Sequence, residues 1–393
     1  MATMGFTIDG DVITISVAGR IDSTNAPALE LEIQGALASK RYAEAVLDCD
    51  ELEYISSAGL RVVLRLAKSV GRLHIVNASS AVYEVFEMTG FTEMFDVSKA
   101  YRRISVEGCE VIGQGANGKV YRIDPETIVK VYLNPDSLPE IRRERELART
   151  AFVRGVPTAI PYDVVRVGEG YGSVFELLNA KSYAKLLIAG EKTVDEISRM
   201  SVDLLKIIHG TLVDANSMPS MREVALGWAQ YLVDYLPAEQ GQKLVSLVEA
   251  VPEDLHMMHG DYHIKNVMVQ NGESLLIDMD TLCHGHPVFE LASMYNAYVG
   301  FGLTDHSIIE NFMGIPFETS EALWNTMLRL YLDDADEATV RSVEEKAIVV
   351  GLMRMMRRAI RRGGMEDEQG RAQIKACESR LCELLGRVDT LVF

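Results

Sequence analysis

His259-Gly260-Asp261-Tyr262-His263-Ile264-Lys265-Asn266 is followed, twelve residues after its last member, by Asp278 at the end of the apolar run 274–277. Phosphoryl transfer needs one carboxylate that accepts a hydroxyl proton, together with an amide and a second carboxylate that hold Mg²⁺ against phosphate oxygens. These two segments supply all three groups at a spacing that is rare by chance. The pattern therefore indicates Asp261 as the base and Asn266 and Asp278 as metal ligands.

A glycine-rich turn lies upstream of this stretch. Gly113, Gly115 and Gly118 separate two apolar segments, which predicts a β-hairpin whose backbone can close over phosphates. Val120 follows the turn, and its β-branched side chain can cover an adenine ring. The next apolar strand, at 127–132, contains Lys130. A buried lysine is costly unless it is paired, so we expect this one to meet phosphate and a carboxylate.

The partner carboxylate of the lysine is expected on the helix that follows. Glu144 and Glu146 both lie in the segment 141–147. The position within the motif favours Glu144, and the sequence alone leaves Glu146 open.

Residues 108–393 resemble the aminoglycoside phosphotransferase and choline kinase family, which shares the protein-kinase-like fold. The resemblance rests on the glycine pattern with its valine, on the lysine in Ile-Val-Lys, on the His-Gly-Asp stretch with its asparagine, and on the aspartate in Ile-Asp-Met-Asp. It implies an ATP-binding small lobe at about 108–180 and a helical large lobe at about 181–393. It also implies a hinge between them, where backbone groups near Glu176 and Leu178 would bond the adenine.

A separate module precedes residue 105. Strand and helix patterns alternate along it, with strands at 12–17, 44–49 and 73–77 and helices at 26–38, 58–70 and 81–88. Such alternation predicts a small sheet covered by helices.

This module resembles the STAS domain of bacterial anti-sigma factor antagonists. The resemblance rests on the segments 19–23, 47–49, 54–60 and 89–91. It implies that a partner kinase phosphorylates Ser57 at a helix N-terminus to switch protein binding, with Asp22 near the same surface. A helix N-terminus favours a phosphate dianion. Ser56 and Ser57 are also good capping residues, so a purely structural role stays open.

Charge and hydropathy exclude some classes of protein. The chain of 393 residues has a formal net charge of −18, and residues 1–105 hold 14 acidic and 10 basic side chains. Nucleic-acid binding is not expected, because it needs a basic face. No apolar run approaches the ~18 residues of a membrane span, and the N-terminus lacks a signal pattern, so we expect a cytoplasmic protein with no membrane partner.

The charge of the acceptor is ambiguous from the sequence. A negative large lobe favours a cationic acceptor, as aminoglycosides and choline are. Five arginines at helical spacing, which we call the arginine strip, oppose this inference. They are Arg354, Arg357, Arg358, Arg361 and Arg362. Like charges this close cost stability unless an acidic group neutralises them. Either nearby carboxylates pair with a solvated strip, or the strip docks an acidic substrate or the other domain.

We therefore predict an α/β STAS domain at 1–105, followed by an α+β bilobal protein-kinase-like domain at 106–393. The predicted function is ATP- and Mg²⁺-dependent transfer of the γ-phosphate to a hydroxyl of a small-molecule acceptor, coupled to a protein partner of the STAS domain. Two alternatives stay open. One is a protein serine kinase that acts on Ser57 or on a partner's STAS serine, and the other is a nucleotide-gated binding module without catalysis.

Overall fold

The computed structural model describes residues 2–38, 40, 42–114 and 118–393. Gly115, which the glycine pattern includes, lies outside the described residues. The chain divides into two compact units, residues 1–104 and residues 105–393. Among the residues described, no helix is both long enough and apolar enough to cross a bilayer.

The first unit is a five-stranded sheet with helices packed on it. Its strands are β1 (Thr3–Asp9), β2 (Val12–Ile21), β3 (Glu44–Ile55), β4 (Arg72–Ala78) and β5 (Asp96–Lys99), in the order β1-β2-β3-β4-β5. The edge strand β1 is antiparallel to β2, and the other neighbours are parallel. The helices are α1 (Ala26–Leu37), α2 (Ser57–Ser69), α3 (Ser80–Met88) and α4 (Phe91–Met94). A short strand, β6 (Arg102–Ile104), ends the unit.

Alternating side chains hold this sheet against its helices. Ile13, Ile15 and Val17 of β2 are buried while the residues between them are more exposed, which is the period of a strand. On α2, Leu60, Val63 and Leu66 recur at helical spacing and are buried against the sheet. The predicted strands and helices therefore correspond to observed elements, although β3 runs six residues beyond the predicted end.

The second unit begins with an antiparallel sheet. Its strands are β7 (Glu110–Gln114), β8 (Gly118–Arg122), β9 (Thr127–Tyr132), β10 (Pro161–Val167) and β11 (Gly170–Glu176), and they neighbour one another in the order β10-β11-β9-β8-β7. Strands β7 and β8 form the predicted glycine-rich hairpin. Helix α5 (Leu138–Val153) packs against β10 and β11.

Gly118 is required by the packing of this hairpin. A Cβ atom there would lie 2.3 Å from the carbonyl oxygen of Val131 on β9, closer than real Cβ contacts allow. Only glycine lets the two backbones approach this closely.

The rest of the second unit is mostly helical. The helices are α6 (Tyr183–Ile188), α7 (Val194–His209), α8 (Met221–Leu232), α9 (Ala238–Glu249), α10 (Val288–Tyr298), α11 (Ser307–Met313), α12 (Phe317–Tyr331), α13 (Glu337–Arg361) and α14 (Glu368–Leu385). Helix α10 is buried along its whole length and packs against α12 and α13. Single 3-10 turns lie at Val233–Tyr235, Met279–Thr281 and Gly300–Gly302.

Two small sheets position the His-Gly-Asp stretch. One consists of β12 (Lys181–Ser182), β14 (Val267–Gln270) and β15 (Glu273–Leu276), and the other of β13 (Met257–Met258) and β16 (Cys283–His284). Residues 259–266 connect β13 to β14, and Asp278 follows β15. The antiparallel pair β14–β15 brings residues 267 and 276 opposite each other, which places Asn266 near the segment that contains Asp278.

Candidate active site

In the second unit, a cavity of about 470 Å³ lies between the antiparallel sheet of β7 to β11 and the β14–β15 pair. Its size is within the about 300–1,000 Å³ typical of small-molecule sites. The predicted residues that line it are Gly113, Gly118, Val120, Lys130, Glu144, Glu176, Leu178, Asn266 and Asp278. Residues that are more than a hundred positions apart in the sequence therefore meet in one cleft.

The backbone of the predicted hinge has its own hydrogen bonds. The N–H of Glu176 donates to the carbonyl oxygen of Ile160 at 3.1 Å, and the N–H of Leu177 donates to that of Glu126 at 2.7 Å. Among the described residues, the N–H of Leu178 has no backbone acceptor. Leu178 is therefore the hinge residue whose amide is available to a base in the cleft.

Lys130 bridges two carboxylates across the cleft. Its Nζ lies 2.9 Å from Glu144 Oε1 and 2.9 Å from Asp278 Oδ1. Burial lowers the pKa of Lys130, but the two carboxylates outweigh burial and raise it above its ordinary value. The lysine is therefore a fixed cation. Glu146 points elsewhere, to Arg145 and Arg149 on the surface of α5.

Tyr132 completes this cluster and was not predicted from the sequence. Its phenolic hydroxyl donates a short hydrogen bond to Glu144 Oε2. Burial, followed by the charge of Glu144, raises the pKa of Tyr132. Both carboxylate oxygens of Glu144 thus accept a hydrogen bond. These bonds offset the cost of burying its charge, because the side chain is only 3% exposed. The alternation of β9 was the available signal, because Lys130 and Tyr132 lie two residues apart on the same face.

Two histidines fix the surroundings of Asp261. The N–H of Asp261 donates to His259 Nδ1, so the proton of that ring lies on Nε2, which faces the Ile277 carbonyl oxygen at 3.2 Å. His263 Nε2 lies 3.5 Å from Asp261 Oδ2. Burial raises the pKa of Asp261, but the hydrogen bond from His263 and the electrostatic interactions with His263, His259 and Arg354 outweigh it and lower the pKa. The carboxylate is therefore held in its ionised form.

Asn266 and Asp278 offer oxygens of the kind that Mg²⁺ binds. Asn266 Nδ2 donates to the Asp261 carbonyl oxygen at 3.0 Å, which leaves its Oδ1 as an acceptor. Asp278 uses Oδ1 for Lys130 and has a left-handed backbone, with φ of 62°. Such a backbone is uncommon outside glycine and is often found at functional sites. Carboxylate and amide oxygens suit a hard cation, so the residues present fit Mg²⁺.

Glu290 of α10 anchors the His-Gly-Asp stretch through backbone hydrogen bonds. Its fully buried carboxylate accepts the N–H groups of His259 and Gly260. Gly260 has φ of +80°, and a Cβ atom there would lie 2.4 Å from the Thr281 carbonyl oxygen. The stretch is therefore positioned by backbone contacts that only glycine permits.

One expectation from the sequence was that nearby carboxylates pair with the arginine strip. In the structure its arginines contact aromatic rings and backbone or hydroxyl oxygens instead. Arg354 Nη1 donates to the carbonyl oxygen of Gly260 at 3.2 Å and to Ser293 Oγ at 2.9 Å. Within the described part of the chain, none of the five arginines has a carboxylate oxygen within 4.0 Å. The expectation of a carboxylate-paired strip was therefore wrong, because the neighbouring elements present aromatic and backbone groups. Lys265 donates to the Phe312 carbonyl oxygen at 2.8 Å.

Ser57 occupies the first position of α2 and is exposed. Ser56, the preceding residue, caps the helix by accepting the N–H of Gly59 at 3.4 Å. Asp22 follows Ile21, whose carbonyl oxygen accepts the N–H of Ser56. The side-chain hydrogen bond from Thr24 lowers the pKa of Asp22. The structure thus brings Asp22 and Ser57 to one edge of the sheet and gives the capping role to Ser56.

Comparison with known proteins gives a family to each unit. Residues 108–312 match the phosphotransferase enzyme family, and residues 5–104 match the STAS domain. BtrV of Bordetella bronchiseptica, provisionally named an anti-sigma factor antagonist, is 42% identical over 97 residues, which are 24% of this chain and 82% of that protein.

Each unit is also similar to solved structures. An anti-sigma factor antagonist from Mycobacterium paratuberculosis has 26% identity and a TM-score of 0.24, over 25% of this chain and 86% of that one. A thermostable mutant of aminoglycoside phosphotransferase APH(4)-Ia has 11% identity and a TM-score of 0.48, over 71% and 94%. A choline/ethanolamine kinase family protein from Mesorhizobium loti has 14% identity and a TM-score of 0.45, over 72% and 92%.

Proposed function

The chain belongs to the phosphotransferase enzyme family and carries an N-terminal STAS domain, and from this premise we propose that it transfers the γ-phosphate of ATP to a hydroxyl of a small-molecule acceptor. The observation that carries the proposal is the contact of Lys130 with Glu144 and Asp278 in the cleft that Asn266 also lines. We further propose that residues 1–105 act as a protein-binding module and residues 106–393 as the catalytic domain.

The nucleotide would lie in the cleft between the hairpin and the β14–β15 pair. Val120 and Leu178 line the apolar part of the cleft, where an adenine would be desolvated. Lys130 is a fixed cation at the other end, suited to phosphate oxygens. Gly113 and Gly118 carry no side chain that would keep phosphates from the backbone of the hairpin, and the predicted contact of Gly115 lies outside the described residues.

Asn266 Oδ1 and the Asp278 carboxylate would hold Mg²⁺. When bound, the ion neutralises charge on the phosphate oxygens. Holding it there requires that both side chains be fixed in advance. The hydrogen bond from Asn266 Nδ2 to the Asp261 carbonyl oxygen and the contact of Asp278 with Lys130 provide this restraint.

Asp261 would accept the proton of the acceptor hydroxyl. As the acceptor oxygen forms its bond to the γ-phosphorus, the bond from that phosphorus to the bridging oxygen breaks, and the proton moves to the Asp261 carboxylate. The lowered pKa of Asp261 means that the carboxylate is ionised and ready to accept the proton at neutral pH. Glu290 accepts the N–H of Gly260, and Arg354 donates to the carbonyl oxygen of the same residue. Both contacts hold the backbone directly before Asp261.

The test is phosphate transfer from γ-labelled ATP with Mg²⁺, using acceptors that include amino alcohols, aminoglycosides and hydroxy acids. Protein and small molecules are separated before counting. We expect label in a small molecule with wild type and not with Asp261→Asn, whereas Asp234→Asn, at an exposed 3-10 turn, should behave as wild type. A chelator of Mg²⁺ should abolish transfer.

Other outcomes would replace the proposal. Label on Ser57 that is absent in Asp261→Asn would make the chain a protein kinase that acts on its own STAS domain. ATP binding without any transfer, together with binding of a partner protein that ATP changes equally in both variants, would favour a nucleotide-gated module.

A further inference from the structure

The arginine strip is a local excess of positive charge on an acidic protein. Its five members lie within nine residues near the C-terminal end of α13, and the chain as a whole has a net charge of −18. Arg354 and Arg358 are separated by four positions, as are Arg357 and Arg361, so like charges face each other on one side of the helix. Each such pair destabilises the helix when nothing neutralises it.

Aromatic rings, rather than carboxylates, lie against the guanidinium groups of Arg354, Arg357 and Arg358. The Arg357 guanidinium lies 5.9 Å from the ring centre of Trp228 and 5.8 Å from that of Tyr231, both on α8. The Arg358 guanidinium lies 5.3 Å from the ring centre of Phe301. Cation–π contacts fix a guanidinium and leave its charge in place. Buried Arg357 Nε also has no hydrogen-bond partner among the described residues.

The helix dipole accounts for part of the strip only. It favours cations within the last turn of a helix. Arg358 and Arg361 lie in that turn of α13, whereas Arg354 and Arg357 lie before it. The positive charge therefore extends beyond the positions that the helix end stabilises, and it extends toward the His-Gly-Asp stretch.

The strip begins beside the predicted base. Arg354 donates to the carbonyl oxygen of Gly260, the residue before Asp261, and the charges of Arg354 and Arg358 both interact with Asp261. Burial, followed by the charges of neighbouring arginines, lowers the pKa of Arg357 and of Arg358. None of the five arginines lines the nucleotide cavity. The strip is therefore near the reacting groups and separate from the place where ATP would lie.

We propose that the acceptor is a small hydroxyl compound that carries a carboxylate or phosphate group, and that Arg357 and Arg358 bind this anion while the hydroxyl faces Asp261. This rests on the proposed function and names its acceptor class. Guanidinium groups form paired hydrogen bonds with both kinds of anion. Cationic acceptors such as aminoglycosides and choline would be repelled by the same charges.

Binding can be measured without catalysis, because Trp228 lies beside the strip and the second tryptophan, Trp324, is buried elsewhere. Tryptophan fluorescence would be followed while glycerate, glycerol 3-phosphate, glycerol or choline is added to the full chain without ATP or Mg²⁺. We expect a saturable change with glycerate or with glycerol 3-phosphate, which separates the two anions, and no change with glycerol or choline. The change should disappear in Trp228→Phe.

Variants of the strip test the assignment. Arg357→Gln and Arg358→Gln should each weaken anion binding about tenfold. Arg358→Lys should recover only part of the loss, because it keeps the charge without the planar fork. Arg341→Gln, an exposed arginine paired with Glu345 on the same helix, should bind as wild type. Anions that leave the fluorescence unchanged, or that bind equally to wild type and to the Arg357→Gln/Arg358→Gln double variant, would overturn the proposal.

The transfer assay separates this inference from the proposed function. With an anionic acceptor, the strip variants should raise the KM for the acceptor more than they lower kcat. If anions bind the strip but no acceptor is phosphorylated, the anion site is confirmed. Its role in acceptor recognition and the proposed function are then both wrong. Transfer to choline or glycerol that is unchanged in the strip variants would preserve the kinase and overturn the anionic acceptor.

Discussion

The carboxylate of Glu290 lies 3.1 Å from the backbone nitrogen of Gly260, although Glu290 belongs to α10 and Gly260 to the segment between β13 and β14. It also accepts the N–H of His259. A buried helix thus fixes the two residues before Asp261, each through its own amide N–H. This contact makes the geometry of the candidate site depend on a side chain that does not line the 470 Å³ cavity.

Replacement of Glu290 by glutamine should loosen the His-Gly-Asp stretch. The amide has one acceptor oxygen and a buried NH₂ group that would face N–H donors, so we expect a loss of about 1–3 kcal/mol in the free energy of unfolding. Urea denaturation of the full chain measures it. Glu321→Gln, on the exposed side of α12, is the matched control and should leave the urea midpoint unchanged. Equal midpoints for Glu290→Gln and wild type would contradict the anchoring role.

The same carboxylate predicts how stability depends on pH. Burial raises the pKa of Glu290, but His209, His259 and the Gly260 N–H outweigh burial and lower it below the ordinary value of 4.5. A carboxylate with a lowered pKa stabilises the folded state above its unfolded pKa, and that stabilisation is lost as the pH falls through the folded pKa. The urea midpoint of wild type should therefore fall more steeply below pH 4.5 than that of Glu290→Gln. Parallel curves would show that another group controls acid unfolding.

The contact between Lys130 and Glu144 predicts a specific defect in nucleotide binding. Glu144→Gln removes one charge-assisted hydrogen bond to the ammonium, worth about 1.5–3 kcal/mol, so ATP should bind about 10–100-fold more weakly. Glu146→Gln on the same helix should bind ATP as wild type, because Glu146 pairs with surface arginines. Isothermal titration with ATP and Mg²⁺ distinguishes them. A larger defect in Glu146→Gln would reassign the partner of the lysine.

The two serines at the start of α2 should differ in effect. Ser56→Ala removes a helix cap and should destabilise the start of the helix by about 1 kcal/mol. Ser57→Ala should have little effect, because Ser57 is exposed and the cap belongs to Ser56. Amide hydrogen exchange of α2 in the full chain measures both. Faster exchange in Ser57→Ala than in Ser56→Ala would return the capping role to Ser57.

Strong local patterns made the fold class predictable, and the family matches confirm it. Strand β2 alternates buried and exposed residues, and the sequence showed this directly. Strand β1 was not predicted, although Met4, Phe6 and Ile8 alternate with polar residues or glycine along it. It is an edge strand with one partner, and nearly all its residues are exposed in the folded chain.

The site was less predictable where it depends on contacts between distant segments. Helical spacing located the arginine strip, but its neighbours come from α8 and from the 3-10 turn at Gly300–Gly302, more than fifty residues away along the chain. No local pattern identifies such neighbours. Tyr132 was missed for a different reason: an aromatic residue in a strand is usually read as packing, and its hydroxyl acquires a role only once α5 brings Glu144 to it.

The packing constraint on Gly118 limits what a glycine at this position can indicate when related sequences are compared. Because its missing side chain is demanded by the nearby backbone of β9, selection for folding alone would retain glycine there. Under the proposed function, a descendant that had lost nucleotide binding would keep this glycine as faithfully as an active enzyme. Divergence at Lys130, Asp261 or Asp278, to which that proposal gives roles, would therefore separate active from inactive descendants, and an intact glycine at 118 would not.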